Sequence, residues 1–510
     1  MSRLPLIAVV TVCLGCMDLP PREHFIPTDL RKASEREYPT GERIVLRSGV
    51  EYVGTFHLKI AGGGDPRDEV VITSDGDKPA MIAAGDGDGI VVSDTGVRIV
   101  NLVLKGSGRE KNKGTGVKAY NDRPGGDKRS KIRFSRLAVS GFGRAGISVE
   151  SSPADGSDSG FKDVVIESCT VSDGVHYGIW SNGPEQPRGS WKYPHANITV
   201  RGCETWGILG DPNKHDNHSG NGIMIGSVDG ALIENCCAHD NGARNGSRTG
   251  GPVGIWTYCA RKVVIQRCES YANRAGERAV DGGGFDLDGG VTESVMQYNY
   301  SHDNDGAGYL VYSYKDAPHE FRDNVVRFNV SINDGRRGEY GGIAVGHHGD
   351  RNRNTLVHHN LVVVGPAKDA RPCALVTAQT EGLKVFNNVF IARKGAFLAG
   401  TWGLKPGEGL RLAGNTWMFE GEPSLLQGNA SCRSFEEWLQ KGGLEANDRL
   451  EPLRAAPVDV APTFWPRPVA TLGELLGPTP STVDVPNLPP TDFLGRKISA
   501  SRFAGPFAPK

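Results

Sequence analysis

The sequence predicts an all-β fold, a right-handed parallel β-helix of roughly ten coils with a cap at each end. Two residue ladders and the strands between them lead to it. In the first ladder, Cys169 recurs as Cys203, Cys236 and Cys268, and then as Asn299, Asn329, Asn360 and Asn388. The steps are 34, 33, 32, 31, 30, 31 and 28 residues. Each position closes a short apolar strand, and three residues earlier stands Ile166, Val200, Ile233, Ile265, Met296, Val326, Val357 or Val385. The second ladder is a glycine followed by an apolar residue, from Gly89-Ile90 through Gly178-Ile179, Gly222-Ile223, Gly254-Ile255, Gly284-Phe285 and Gly308-Tyr309 to Gly342-Ile343. A repeat of this length means that each unit buries its apolar face only against its neighbours. The strands are short and rich in Val and Ile, and no segment between ladder positions has a 3.6-residue apolar period, so helical repeats are excluded. Stacked copies of one strand form parallel sheets, whose connections turn right-handed.

The elements follow in order. Residues 1–16 hold Arg3, an apolar run from Leu4 to Leu14, and Gly15-Cys16. The run is too short to span a bilayer and fits a secretory leader. Cys16 after Leu14-Gly15 resembles the bacterial lipoprotein cleavage box. Cys16 is therefore the expected lipidation site, and the chain is expected in the cell envelope, periplasm or medium. Residues 17–40 are polar and Pro-bearing, a linker leading to a cap. The β-helix is expected over residues 41–420. Residues 421–510 form a C-terminal cap and a Pro-rich tail, with a short helix over 434–440 in which Ser434 is the N-cap and Glu437 follows three residues later.

A chain of 510 residues would ordinarily divide into domains, but a solenoid grows without splitting, so one domain is expected. The net charge of −1 gives no case for a nucleic-acid partner. A monomer is expected. Of ten cysteines, four share the inward ladder with asparagines, which predicts buried, reduced thiols rather than disulfides. No cysteine spacing of the metal-binding kind appears, and no metal site is assigned. His215 and His218 share an inserted loop, 183–221, and are read as loop polarity.

Side chains on a strand alternate faces, so the Gly strands sort by parity. The residue after each glycine points inward; those two and four after it point outward. The outward set includes Trp180, Trp256, Tyr258, Leu310, Tyr312 and, in the middle, Asp286 and Asp288. Aromatic faces beside acids suit a sugar groove, in which rings stack on C–H faces and acids meet hydroxyls or perform chemistry. Asp286 and Asp288 stand two apart on one strand, so their Cα atoms lie about 6.5–7 Å apart. That leans to inverting glycoside hydrolysis, which needs carboxyls about 6.5–9.5 Å apart. Both are expected to face solvent, and their like charges should raise one pKa. Asn241, Asn273 and Asn304 share a turn position and read as stacked turn asparagines. His239, Tyr271 and His302 share an outward position, which makes His302 a catalytic candidate beside a structural reading.

The V-I-x-x-[CN] strands, Asn-Asp-Gly turns and Gly-apolar strands over residues 41–420 resemble the pectate-lyase-like superfamily, in its branch of bacterial right-handed β-helix repeat proteins. The resemblance implies the fold. It leaves hydrolase, lyase, epimerase and non-catalytic glycan-binding readings open. Within it, the chain is loosely similar to polygalacturonase-type glycoside hydrolases. Asp288 matches that family's Asn-x-Asp carboxylate, with Asp286 in place of the Asn. Asp303 and Asp305, split by Asn304, stand for its Asp pair, and Gly346-His347 for its Gly-His step. The resemblance implies catalytic roles for Asp288 and His347, with no cofactor.

Arg336 and Arg337, with other loop arginines, are expected to edge the groove, which suits an anionic polysaccharide. In the lyase alternative, Lys315, Arg336 or a histidine would remove a proton next to a uronate that Ca²⁺ or Arg neutralises. The leading expectation is an exported glycoside hydrolase acting on a polysaccharide.

Overall fold

The computed structural model describes residues 23–452 apart from 185–186, 280, 402–409, 429, 433 and 443–445, together with 482–485, 487–498 and 503–507. The leader with Cys16 and most of the Pro-rich tail lie outside the described residues.

Three parallel sheets run along the solenoid. The first holds strands that end just before the Cys/Asn ladder, such as Gly160–Glu167 and His195–Arg201. The second holds the strands that follow the ladder, such as Thr170–Gly174 and Tyr300–His302. The third holds the Gly strands, such as Tyr177–Asn182, Gly283–Leu287 and Gly341–His347. Registers are one-to-one: Ile166 on Val200, Val200 on Ile233, Ile233 on Ile265, and Ile265 on Met296. There are about 12 turns rather than roughly ten. The ladder undercounts because early coils carry Leu102 and Leu137 at its position, and a late one adds Asn415.

Cysteine and asparagine interchange in the ladder because both donate to the same acceptor. Asn299 Nδ2 donates to Ile265 O at 2.8 Å and to Asn329 Oδ1 at 3.1 Å, while its Oδ1 accepts from Cys268 N at 3.0 Å. The Cys268 thiol donates to Ile233 O at 3.6 Å, the equivalent carbonyl one coil earlier. Cys169, Cys203, Cys236 and Cys268 are buried and free. The residue before each ladder position turns the corner in the left-handed region: Ser168, Asn235, Arg267, Tyr298, Phe328, His359 and Asn387 have φ between 52° and 58°. That conformation is unfavourable for residues as bulky as Phe328. The buried hydrogen bonds on either side of the corner hold it in place.

Both ends are covered, which protects open sheet edges. Within the expected linker, residues 23–40 are part of the cap itself. Glu23–Phe25 pairs with Arg43–Leu46, and the helix Leu30–Ser34, capped by Asp29, buries Leu30 and Ala33. At the other end, the helix Phe435–Gly442 starts on Ser434, whose Oγ accepts from Glu437 N at 3.1 Å. Its Trp438 is buried in the core beside Phe435 and Trp417. Described parts of the tail return over the outside of the second sheet. There Phe493, Phe503 and Phe507 join Tyr298, Phe328, Val330 and Leu361 in a second apolar cluster.

Candidate active site

The outward row of the third sheet runs in register from Trp180 through Met224, Trp256, Asp286 and Leu310 to Ala344. The alternating residues Ile179, Ile255 and Phe285 lie in the core, so the parity holds. The solvent exposure expected of Asp286 does not. Asp286 is only 3% exposed, and Trp256 and Trp180 are also buried.

Loops at both edges of the sheet account for this. Asn217 and His218, Thr249 and Gly250, and Gly338 to Tyr340 come from loops entering the sheet. Tyr314, His347, His348 and Gln379 come from its exit side. Together they enclose a cavity of about 1160 Å³ over the outward row. The inserted loop braces the exit side. Arg188 pairs with Asp350 at 2.8 Å, and Trp191 and Tyr193 pack on His319 with ring centroids 5.8 and 4.6 Å away.

Four carboxyl residues line the cavity, Asp281, Asp286, Asp288 and Glu339, and burial raises the three aspartates. Burial, with Asp288 and Asp281 nearby, pushes Asp286 well above the usual carboxylate range. Burial pushes Asp288 up to about 7, against the hydrogen bond from Gly289 N at 2.8 Å and with help from Asp281. Burial lifts Asp281 to about 6, although the Tyr340 phenol donates to it. Carboxyls forced apart in pKa within one cavity can divide acid and base work between them.

The aromatic wall is ordered. Tyr177 stacks on Trp180 at 4.3 Å, and Tyr258 donates to Asn182 Oδ1 at 2.8 Å. The Trp256 indole donates to Asn221 Oδ1 at 3.2 Å, and His218 lies 5.2 Å from its ring. Burial drops His218 to about 4 and also lowers His347. Three buried atoms of the lining lack a hydrogen-bond partner: Asp286 Oδ1, Trp180 Nε1 and His347 Nδ1. Such atoms are costly unless a ligand satisfies them.

Of the residues singled out by sequence, the structure gathers Asp286, Asp288, His347, Trp180, Trp256, Tyr258 and Tyr312 around this cavity. It places the others elsewhere. His302 is on the second sheet, stacked on Tyr271 at 4.7 Å and bonded to Asp303 at 2.9 Å and Glu269 at 3.3 Å. Burial opposes its charge, but those two bonds prevail and lift it to about 9. Asp303 also accepts from Asn333, and Asp305 pairs with Arg274 at 3.2 Å. Arg336 donates to Asn333 Oδ1 and Pro366 O, both at 2.8 Å, and Arg337 donates to Glu277 O. Lys315 is exposed, 4.0 Å from Asp316. None of these six lines the cavity. His215 bonds Gly246 O at 2.9 Å, away from His218 and its Trp256 contact.

Sequence reasoning missed Asp281, Tyr177, Tyr314 and Tyr340. Tyr177 precedes a ladder glycine and Asp281 precedes Gly282-Gly283-Gly284, so register alone carried some signal for both. Tyr340 lies in a loop whose path the repeat does not dictate.

No curated protein matches the sequence. Solved structures share the architecture. One is a GH136 lacto-N-biosidase from Eubacterium ramulus, at 14% identity and TM-score 0.50, covering 83% of this chain and 64% of that one. Another is the A-module of mannuronan C-5 epimerase AlgE4 from Azotobacter vinelandii, at 13% identity and TM-score 0.44, covering 82% and 90%. The chain thus spans under two thirds of the lacto-N-biosidase's length, and at these identities the likeness concerns the fold. Residues 126–390, just over half the chain, match the model of the right handed beta helix region. The three-sheet solenoid agrees with that match, and the chain belongs to the right-handed β-helix family.

Proposed function

We propose that this protein is a carbohydrate-active glycoside hydrolase whose substrate is a neutral glycan. The observation that carries the reading is the cavity lining: three acids with raised pKa among seven aromatic side chains, and no lysine or arginine among the described residues. Asp286, the more strongly raised, stays protonated and donates its proton to the leaving glycosidic oxygen. Asp288, ionised above about 7, takes a proton from the water that attacks the anomeric carbon. Their spacing on one strand favours attack from the opposite face, with inversion. Trp180, Trp256 and Tyr258 offer apolar faces to sugar rings, and the unpartnered Trp180 N–H awaits a hydroxyl. A lacto-N-biosidase uses the same fold, which is compatible with the proposal but does not carry it.

Lysis or epimerisation of a uronate polymer calls for a cation against the carboxylate. Arg336 and Arg337, expected to provide one, are tied to backbone and side-chain acceptors outside the cavity. An anionic substrate is accordingly not part of the proposal. The test is incubation with neutral and uronate polysaccharides. New reducing ends from a neutral glycan, without the ultraviolet band of an unsaturated uronate, are expected. That band appearing with a uronate polymer would replace the hydrolase reading with the lyase one. Export belongs to the same proposal and rests on the leader pattern. A mature N-terminus other than Cys16 would remove its lipid-anchor part.

A further inference from the structure

The outer face of the second sheet carries another cluster of reactive groups, apart from the cavity. Glu204 is in register with Cys237 and Trp206 with His239; in the next coil Glu269 follows Cys237 and Tyr271 follows His239. Cys237 is the one described cysteine that is not buried. One ligand atom each from Glu204, Cys237 and His239 lies within 4.8 Å of the other two.

The imidazole is held for the purpose. Its ring sits between Trp206 and Tyr271, parallel to each within 4° at 6.1 and 4.7 Å. Nδ1 lies 2.7 Å from Asp240 Oδ2, and Nε2 lies 3.2 Å from Glu204 Oε1. A carboxylate on Nδ1 fixes the tautomer in which Nε2 presents a lone pair, as in carboxylate–histidine–metal sites. Nε2 thus points at the Glu204 oxygen with the Cys237 sulfur beside it, a position that a cation would share among all three.

We propose that Glu204, Cys237 and His239 form a zinc-binding site. Thiolate, imidazole and carboxylate are the ligand set Zn²⁺ takes, with bonds of about 2.0–2.3 Å. A tetrahedron on such bonds has edges of about 3.3–3.8 Å. The observed Nε2–Oε1 separation of 3.2 Å is already near that edge. A thiol is ordinarily protonated near neutral pH, so Cys237 brings a proton to the site. Binding replaces that proton by the Zn–S bond and releases it to solvent. The ion's two charges then balance the thiolate and Glu204, and water completes the fourth position.

The neighbouring coils hold an internal control. Glu269, His302 and Asp303 repeat the same geometry at 3.3 and 2.9 Å, but Tyr300 stands in the register position of Cys237. Without the thiol, the group is closed by the imidazolium itself. The zinc ligands come from successive coils, which is why no cysteine motif in the sequence signalled them.

Titration of the whole protein with Co²⁺ and then Zn²⁺ tests the proposal. One equivalent of Co²⁺ should bind with an intense near-ultraviolet thiolate-to-metal band and release one proton, and Zn²⁺ should then displace it with no further proton release. Cys237→Ser should abolish the band. His239→Ala should weaken binding by about 10–100-fold or more. Glu204→Gln, which leaves the ring stack in place, should weaken binding but keep the band. His215→Ala, in the inserted loop 183–221, should change nothing. Circular dichroism checks that each variant is folded. No band in the parent protein, or an undiminished band in folded Cys237→Ser, overturns the proposal.

Discussion

Asp286→Asn and Asp288→Asn are each expected to lower turnover by at least a hundredfold, because positioned acid or base groups contribute about 10²–10⁴. The two losses should have different pH signatures. In the parent protein the rate falls on the acid side as Asp288 gains its proton near pH 7. It falls on the alkaline side as Asp286, raised further, loses its own. The profile belongs to the interacting set, since Asp281 raises both neighbours. Asp288→Asn should remove the acid limb from whatever rate remains, and Asp286→Asn the alkaline limb. Asp281→Asn should move both limbs of the profile to lower pH by relaxing both values, with a smaller loss of rate. Kinetics on the glycan found by product screening checks all three. Full activity in both Asp286→Asn and Asp288→Asn would remove this cavity as the catalytic site.

Ile265→Ala should destabilise the protein by about 2–5 kcal/mol, as for other cavities opened in a packed stack. Ile265 is fully buried and lies in register between Ile233 and Met296, so the void has no mobile neighbour to fill it. Asp286→Ala should cost nothing or stabilise, although Asp286 is as buried as a core residue. It removes an acceptor atom that has no partner, and an unsatisfied buried group carries a penalty of about 1–3 kcal/mol. The pH dependence has a definite sign. Folded Asp288 keeps its proton up to about 7, whereas unfolded Asp288 loses it in the ordinary carboxylate range. The folded state binds more protons between those values, so stability falls as pH rises through that window. Asp288→Asn should flatten that fall. Denaturant unfolding of the three variants at pH 4 and pH 8 measures both effects, and equal losses for Ile265→Ala and Asp286→Ala would contradict the assignment of faces.

The solenoid was legible because its cause is periodic. A ladder position that must donate to a carbonyl one coil back admits Asn or Cys, and either leaves a trace every thirty-odd residues. The direction of Asp286 and Trp256 was legible for the same reason, since alternation on a strand is local. Their burial was not. It depends on loops such as 183–221 and 335–340, whose lengths interrupt the repeat and whose paths no period encodes. Asp303 and Asp305 were drawn to the site by resemblance in spacing, and His302 by an outward position shared with His239 and Tyr271. Their partners, Glu269, Asn333 and Arg274, are a coil away and show them to be braces of the second sheet. The arginines misled similarly: a cation near a groove in sequence is available to a ligand only if no carbonyl or carboxylate has taken it first.

The returning tail changes the mechanics of the C-terminal half. Tyr298 donates to Thr491 O, Arg327 to Asn487 O, Phe503 rests on Phe328 and His359, and Asn387 exchanges bonds with Val483. Four successive coils are thus bound by one strap that runs along the solenoid axis. A bare stack of coils couples only nearest neighbours and can peel from its end one unit at a time. The strap adds a coupling that skips over neighbours, so those coils hold or melt together. The exit-side wall of the cavity, with His347 and Gln379, belongs to the same coils and inherits that all-or-none character.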